Sequence, residues 1–369
     1  MSLAIYRKYR PKILSELLGQ EHIVEILKNA AKRNRLGHAY LFYGSRGSGK
    51  TTAARLLAKI ANCETREKDE NFRDKGEPCN KCRPCSEIDS AHALDVQEID
   101  AASNRGIDEI RDLKESIKLS PSSYKYKVFI IDEVHQLTKD AFNALLKTLE
   151  EPPEHAIFIL ATTEYEKVPA TIISRAQRFH FKKLAVSSII GKLRQIAKNE
   201  KISVTDEALE LIAASAEGSL RDAESLLDQL YSLENEITLT SAEKIIGKAG
   251  FSRTSQLADA LLKNDLKKSL EFVSAITEEG YNITDLNKEL IHYFRKAISL
   301  KFDSELENIF KNQLTGNELE QIKSHSRIID EKKHINLIKS LIRAHAEMRY
   351  SPFPHIPLEI AIIENLRNQ

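Results

Sequence analysis

The stretch HAYLFYGSRGSGKTT, residues 38–52, decides the fold. Its first half contains the apolar run YLFY at 40–43, which predicts a buried strand. GSRGSGKT follows at 44–51 with the G-x-x-x-x-G-K-T spacing of a phosphate-binding loop, and a helical pattern begins at 52. A glycine loop in this setting turns backbone N–H groups toward a polyphosphate, and the helix N-terminus adds partial positive charge. The chain is therefore predicted to bind a nucleoside triphosphate.

The side chains of this loop have separate predicted tasks. Lys50 can reach the β- and γ-phosphates of ATP, and the Thr51 hydroxyl can bind Mg²⁺. The other loop positions are expected to surround the phosphates. They are Gly44, Ser45, Arg46, Gly47, Ser48, Gly49 and Thr52.

A second motif lies at the end of another apolar run, VFII at 128–131. Asp132 and Glu133 follow it directly, and in an open parallel sheet ligands sit at the carboxyl ends of the strands. Asp132 can hold Mg²⁺ and Glu133 can polarise the attacking water. A third apolar run at 156–161 ends in polar residues, so Thr163 is placed to touch the γ-phosphate or that water.

All four cysteines fall in one window after the first helix, at Cys63, Cys79, Cys82 and Cys85. Four thiolates suit tetrahedral Zn²⁺, and such a closed site is structural because no position remains for water. Redox thiols or unrelated buried cysteines are the alternatives, but zinc accounts for all four residues together. The charged stretch at 64–77 is expected to be a loop.

Arginines elsewhere in the chain offer further contacts with phosphate. The N-terminal arm contains Tyr9, Arg10 and Pro11, which can stack on adenine or contact phosphate, or simply pack on the next domain. Arg175 stands in a loop, where it is either solvated or an arginine finger that reaches a neighbouring subunit. Arg221 begins a predicted helix, from which it can reach the γ-phosphate.

Composition limits the remaining possibilities. A chain of 369 residues suggests two or three domains, and a net charge of +1 gives no global sign of a nucleic-acid partner. The opening sequence MSLAIYRKYRPK lacks the apolar stretch of a signal peptide, and no apolar run is long enough to cross a membrane. Four cysteines in this setting favour a reducing compartment, so we expect a cytoplasmic protein with no membrane partner.

The pattern changes along the chain in a way that predicts three domains. Residues 1–180 read as a P-loop ATPase domain that contains a zinc module at 63–85. Helical stripes take over at 181–247, which we interpret as a small lid. The final helical region, 248–369, shows no chemistry and is expected to serve packing or oligomerisation, as a collar.

Together these motifs resemble the AAA+ ATPases and, more narrowly, the γ/τ subunits of the bacterial DNA polymerase III clamp loader. The resemblance is carried by residues 9–11, 44–51, the four cysteines, 99–104, 131–135, 142–153, 161–163, 174–175 and 218–222. It implies an α/β module followed by all-α domains. The module would have a parallel five-stranded sheet in the order 5-1-4-3-2, with helices on both faces and the zinc-binding insertion. A three-helix lid and a helical collar would follow.

The resemblance also implies an activity, cofactors and partners. The activity would be ATP hydrolysis within the DNA polymerase III holoenzyme, an assembly classed as a DNA-directed DNA polymerase and nucleotidyltransferase. ATP, Mg²⁺ and Zn²⁺ would be the cofactors. The δ and δ′ subunits and further γ/τ copies would complete a pentameric ring that loads the β sliding clamp onto primed DNA in replication. The polymerase core would be a partner only of a longer form.

Individual residues acquire roles from the same resemblance. Thr163 would sense the γ-phosphate, Arg175 would act on the nucleotide of the adjacent subunit, and Arg221 would be the lid sensor. The loop at 103–105 would face the DNA backbone. The chain has Ala176 where the family commonly has a cysteine after the finger arginine.

Parts of the sequence are also compatible with two other functions. The run DEVH at 132–135 resembles a helicase box, so a helicase or branch-migration motor is the alternative. A helicase needs a second RecA-like lobe, and residues 184–369 show no such strand pattern. A non-hydrolysing scaffold resembling δ′ would require a degraded phosphate loop, whereas residues 44–51 are intact.

Overall fold

The computed structural model describes residues 3–103, 113, 115–246, 250–311, 314 and 316–367. The chain divides into two compact units. The first comprises Met1–Leu184 with Ser219–Arg221, and the second comprises Ala185–Gly218 with Asp222–Gln369. The predicted boundary between lid and collar stays a prediction.

The first unit is built on one parallel five-stranded sheet. Its strands are β1 (Ala39–Gly44), β2 (Val96–Asp100), β3 (Lys127–Asp132), β4 (Ala156–Thr162) and β5 (Gln177–Phe181). Their order across the sheet is β2-β3-β4-β1-β5, which confirms the predicted order 5-1-4-3-2. β1 therefore lies between β4 and β5, one strand in from the side of the sheet, and the loop that follows it lies at the carboxyl ends of these strands.

Helices cover both faces of this sheet. Alternate residues of the central strands enter different cores, as a strand period of two requires. Phe42 and Ile130 join the core on one face, whereas Phe129 and Phe158 stack in the core on the other. The helices are α1 (Ile5–Lys8), α2 (Glu21–Lys32), α3 (Lys50–Asn62), α4 (Glu64–Lys68), α5 (Glu70–Arg73), α6 (Arg83–Asp89), α7 (Lys139–Glu150) and α8 (Ala170–Ile173). Single 3-10 turns occupy Leu14–Glu16, Val134–Gln136 and Tyr165–Lys167.

The charged stretch at 64–77 differs from its prediction as a loop, because it contains α4 and α5. Asp69 caps α5 by accepting a hydrogen bond from the Phe72 backbone N–H at 3.2 Å. The stretch contains two buried charged residues, Arg66 and Glu77, and Arg66 joins α4 to α2 and α3 through hydrogen bonds to backbone carbonyl groups. The high charge of this segment therefore led to a wrong prediction of a loop, whereas the segment is helical and partly packed.

The second unit is helical apart from the two-residue strands β6 (Ser203–Val204) and β7 (Glu236–Ile237), which pair in parallel. Its helices are α9 (Val186–Glu200), α10 (Asp206–Ser215), α11 (Leu220–Leu233, which begins in the first unit), α12 (Leu239–Ile246), α13 (Phe251–Leu262), α14 (Leu266–Glu278), α15 (Ile283–Phe302), α16 (Glu307–Phe310), α17 (Gly316–Ile328), α18 (Glu331–Met348) and α19 (His355–Arg367). One apolar cluster joins the helices from α13 onward around Leu290 and Phe294. Across the described residues, no helix is long and apolar enough to span a bilayer.

A small polar network crosses that apolar cluster. The Tyr293 hydroxyl and His325 Nδ1 lie 2.7 Å apart, and His325 Nε2 lies 3.6 Å from an Asp259 carboxylate oxygen. Burial lowers the pKa of His325 below its usual 6.5. The imidazole is therefore favoured in its neutral form, with Tyr293 as the donor to Nδ1.

Candidate nucleotide and zinc sites

The phosphate loop between β1 and α3 depends on glycine at two close approaches. Gly44 has φ of +143°, and a Cβ there would lie 2.1 Å from the Phe181 carbonyl oxygen. Gly47 has φ of +70°, and a Cβ there would lie 1.9 Å from Ser219 Oγ. Larger residues would collide at both positions, so the sequence must place glycine where the backbone bends.

Lys50 begins α3 and folds back over the loop. Its Nζ donates to the Gly44 and Ser45 carbonyl oxygens, each at 2.9 Å. Burial lowers the pKa of Lys50. A bound anion would act in the opposite direction and favour the charged ammonium. Ser45 Oγ is buried and has no hydrogen-bond partner among the described residues, which fits a group that meets a phosphate oxygen. Arg46 is exposed and Thr52 lies in the first turn of α3.

The two halves of the predicted magnesium site are in direct contact. Thr51 Oγ1 donates to Asp132 Oδ2 at 2.7 Å, which joins α3 to the end of β3. Asp132 Oδ1 accepts the Glu133 backbone N–H at 3.0 Å. A hydroxyl and a carboxylate side by side are the oxygen ligands that Mg²⁺ takes in phosphoryl-transfer sites. The residues present therefore fit this ion.

Glu133 is held in a defined position beyond the strand end. Its backbone has φ of +48°, a left-handed conformation that is costly for glutamate. Its Oε2 accepts hydrogen bonds from the Thr163 backbone N–H at 3.1 Å and from Thr163 Oγ1 at 2.8 Å. The sequence predicts that Thr163 touches the γ-phosphate or the attacking water. In the structure, Thr163 donates two hydrogen bonds to the Glu133 carboxylate.

His135, for which the sequence alone predicts no role, belongs to the same group. Its Nδ1 lies 2.8 Å from Thr162 Oγ1 and 3.4 Å from Glu133 Oε2. The signal was present, because His135 closes the DEVH run that begins at Asp132. A histidine three residues after a strand-end aspartate can reach back to the next strand tip, and here it does.

Arg175 follows α8 and packs against α7. Its Nη1 donates to the Thr171 carbonyl oxygen at 2.7 Å, and its Nη2 forms an ion pair with Glu150. These partners belong to its own neighbourhood and not to the phosphate loop. The structure therefore does not bring Arg175 together with Lys50 and Glu133 through any contact seen in the described part of the chain.

Arg221 and the N-terminal arm do meet. The Arg221 guanidinium carbon lies 5.0 Å from the centroid of the Tyr6 ring, a cation–π distance. Burial lowers the pKa of Arg10, which is near enough to Arg221 to feel its charge. Tyr9 and Pro11 are half-buried in the turn after α1. The N-terminal arm thus contacts Arg221, the predicted lid sensor. The sequence of neither segment predicts this contact.

The four cysteines form one cluster, in which every Sγ lies within 4.8 Å of every other. Cys79 and Cys85 have Sγ atoms 4.0 Å apart, as do Cys82 and Cys63. Tetrahedral zinc with Zn–S bonds of about 2.3 Å places its sulfur atoms roughly 3.8 Å apart. The donor set and its spacing therefore fit Zn²⁺, whose chemistry here would be to cross-link the module.

Backbone N–H groups surround these sulfur atoms. The Cys79 N–H points to Cys63 Sγ at 3.4 Å, and the Lys81 and Cys82 N–H groups point to Cys79 Sγ at 3.4 and 3.2 Å. The hydrogen bond with the Cys85 thiol holds the pKa of Cys63 below its usual value. Such donors stabilise thiolates and orient metal ligands. The cluster can therefore hold a metal ion through four thiolates.

A parallel sheet in this order, with a phosphate loop after β1 and paired acids after β3, defines an AAA+ ATPase module. Three family models match the chain: DNA polymerase III, delta subunit, at 19–185; DNA polymerase III clamp loader subunit, ATPase lid domain, at 188–232; and DNA polymerase III subunits gamma and tau domain III, at 237–367.

Curated relatives extend over almost the whole chain. DNA polymerase III subunit gamma of Buchnera aphidicola subsp. Acyrthosiphon pisum is 36% identical over 360 residues, 97% of this chain and 96% of that one. Subunit tau of Bacillus subtilis is 42% identical over 362 residues, 98% of this chain and 62% of that one. Subunit tau of Escherichia coli is 35% identical over 361 residues, 98% of this chain and 54% of that one. The chain belongs to the γ/τ subunit family of DNA polymerase III, and it spans about half to two-thirds of these two τ relatives.

The loop expected to face DNA contains Asn104 and Arg105, which lie outside the described residues. Ser103 is described, and its hydroxyl donates to Asp100 Oδ2 at 3.1 Å at the end of β2.

Proposed function

We propose that this chain is an ATPase subunit of the bacterial clamp loader, which uses ATP binding and hydrolysis to place the sliding clamp on primed DNA. The observation that carries the proposal is the hydrogen-bonded line from Thr51 through Asp132 to Glu133 and Thr163. It joins three separate motifs at one sheet edge, behind an intact phosphate loop. Family membership supplies the biological setting.

Each residue of that line has a task in the proposed reaction. Lys50 and the loop N–H groups hold the triphosphate, while Thr51 and Asp132 hold Mg²⁺. Glu133 orients a water and takes its proton as the water oxygen bonds to the γ-phosphorus and the bond to the ADP oxygen breaks. Thr163 keeps the Glu133 carboxylate in place through two donated hydrogen bonds. ADP and phosphate are the products.

The remaining charge is proposed to be supplied by arginines. Arg221 would act within the same chain, and Arg175 would act on the nucleotide of the next subunit in a pentamer with δ, δ′ and further γ/τ copies. The residues of 248–369 would form the ring. Large apolar side chains exposed on α18 and α19 support this role: they are Ile335, Ile342, Ile356 and Ile360.

The proposal also assigns the cysteine cluster and the setting. Zn²⁺ would be structural, held by the four thiolates of 63–85. The protein would work in the cytoplasm as part of the DNA polymerase III holoenzyme. The polymerase core would be a partner only through residues beyond the aligned part of the longer relatives.

Clamp loading itself tests the proposal. The chain is mixed with δ, δ′ and β, and β is then assayed for topological linkage to nicked circular DNA. We expect linkage that needs ATP, that Lys50→Ala abolishes, and that survives Lys68→Ala, a change at an exposed lysine of α4. Unwinding of a duplex, with ATP hydrolysis stimulated by single strands alone, would instead establish the helicase alternative.

A further inference from the structure

The zinc module, residues 63–85, docks on the N-terminal part of the first unit through buried charged residues. Glu77 is 8% exposed and Arg66 is 5% exposed. Both reach out of the module, toward α2 and toward the 3-10 turn Leu14–Glu16 that precedes it, here called the N-terminal turn. Burying a charged group is costly, and the hydrogen bonds of these two side chains offset that cost except at Arg66 Nε, which has no hydrogen-bond partner among the described residues.

Glu77 holds the N-terminal turn by the backbone N–H groups at the start of that turn. Its Oε2 accepts the Leu14 N–H at 2.7 Å, and its Oε1 accepts the Ser15 N–H at 3.0 Å and the Ser15 hydroxyl at 2.7 Å. Lys28 of α2 completes the shell at 3.1 Å. One carboxylate thereby satisfies the start of a turn that lies more than 60 residues earlier in the chain.

Arg66 and Gly76 secure the same docking from either side. The Arg66 guanidinium donates to the Ala31 carbonyl oxygen at 2.7 Å and to the Ile60 carbonyl oxygen at 2.6 Å, which ties the ends of α2 and α3 together. Gly76 has φ of +68°, and a Cβ there would lie 2.8 Å from the Lys28 carbonyl oxygen. The module therefore sits directly on the α2 backbone.

The N-terminal turn in turn backs the phosphate loop. Leu17 follows it directly, is buried, and has its Cδ2 3.5 Å from the position of a Cβ on Gly49. Leu14 and Leu17 share one apolar cluster with Ala53 and Leu57 of α3. A continuous packed path thus runs from the cysteines through Glu77 and the turn to the loop glycine at the start of α3.

We propose that the zinc module is a clasp that seats the N-terminal turn behind the phosphate loop, with Glu77 as its positioning residue. Glu77 lies two residues before Cys79 in the zinc module. A zinc ion that fixes the cysteines would therefore also fix the position of the Glu77 carboxylate. Without zinc, the module has no core of its own, and docking of the N-terminal turn would be opposed by the conformational entropy that the module loses on ordering. Zinc binding then raises the affinity of the loop for a triphosphate. The affinity part rests on the proposed function.

Glu77→Ala tests the clasp, with Glu70→Ala as the matched control, because Glu70 belongs to the same module and is 87% exposed. Three quantities are measured: zinc per chain, affinity for a fluorescent ATP analogue, and hydrogen exchange of the Leu14 and Ser15 amides. We expect the Glu77→Ala protein to keep its zinc. Its affinity for the ATP analogue should fall about tenfold, equivalent to ~1.4 kcal/mol, and the Leu14 and Ser15 amides should lose protection from exchange. Glu70→Ala should match the unsubstituted protein in all three.

Zinc removal supplies the second arm. Chelation of the unsubstituted protein should reproduce both losses, and chelation of Glu77→Ala should add little, since one path carries both effects. Unchanged affinity and exchange in Glu77→Ala, or fully additive losses, would overturn the clasp. If Glu77→Ala does not fold, Ser15→Ala removes one of the three hydrogen bonds and should show a smaller loss in the same direction. A protein that binds no ATP at all would defeat the proposed function, while amide exchange would still decide the clasp.

Discussion

Replacing Glu133 by glutamine should separate nucleotide binding from hydrolysis. The glutamine oxygen can still accept both hydrogen bonds from Thr163, at 2.8 and 3.1 Å in the native contact, so the site should keep its shape. The amide cannot take a proton from water. Loss of a general base costs about 100- to 10,000-fold in rate, so hydrolysis should fall by that factor while ATP affinity stays within about twofold.

A substitution of Thr163 provides a reference rate with which the hydrolysis rate of Glu133→Gln can be compared. Thr163→Val removes the 2.8 Å hydroxyl bond and leaves the backbone bond at 3.1 Å. A single hydrogen bond to a charged group is worth about 1.5–3 kcal/mol, so the rate should fall roughly 10- to 100-fold, less than for Glu133→Gln. Single-turnover hydrolysis at saturating ATP measures both. A Glu133→Gln protein that hydrolyses ATP as fast as Thr163→Val would refute the role of Glu133 as the base.

The backbone of Glu133 offers an independent check on the same residue. Its φ of +48° is strained for any residue with a Cβ. Glu133→Gly and Glu133→Ala should both abolish hydrolysis, but the glycine variant should be more stable by about 1 kcal/mol because it adopts this conformation freely. Thermal unfolding of the two variants measures the difference. Equal stability would show that the strain is not retained in solution.

Three further outcomes are expected. Arg175→Ala should leave ATP binding unchanged yet slow hydrolysis in the assembled complex by a factor of about a thousand or more, as measured by steady-state turnover with and without partners; equal turnover would exclude the finger. Metal analysis should return about one zinc per chain, and chelation should lower the unfolding temperature of the first unit; a metal-free and equally stable protein would remove the zinc site. The folded-state pKa of His325 is lowered from 6.5, so the unfolded chain binds more protons as pH falls through 6.5 and stability falls with it. His325→Asn should flatten that decline in pH-dependent denaturation, whereas an unchanged slope would assign it elsewhere.

Motifs with fixed local geometry were the part of the site that the sequence could predict. The spacing of Gly44, Gly49 and Lys50 dictates a loop whatever surrounds it, and the acids after β3 lie at the sheet edge because parallel strands all end there. The cysteine cluster followed from ligand chemistry. These features depend on residues close together in the chain or on a period that a strand imposes.

Contacts between distant segments were out of reach for the same physical reason. Glu77 looked like one more acid in a charged stretch, since its partners at Leu14 and Ser15 carry no special side-chain signal and offer backbone N–H groups. The Arg221–Tyr6 contact joins two segments whose proximity only the fold creates. Charge alone could not distinguish Arg66, buried on two carbonyl groups, from its solvated neighbours.

The ion pair between Arg175 and Glu150 is compatible with the proposed finger role, because a neighbouring subunit could compete with Glu150 for the arginine. Their side chains are 32% and 47% exposed, and a surface pair of this kind contributes about 0–1 kcal/mol because water competes for both charges. A triphosphate carries more charge and takes bidentate hydrogen bonds from a guanidinium, so it is the stronger partner once a neighbouring subunit presents one. If Arg175 is the proposed finger, leaving Glu150 would cost little free energy, and assembly rather than folding would decide where its side chain points. In the proposed ring, hydrolysis would then report that a neighbour is in place.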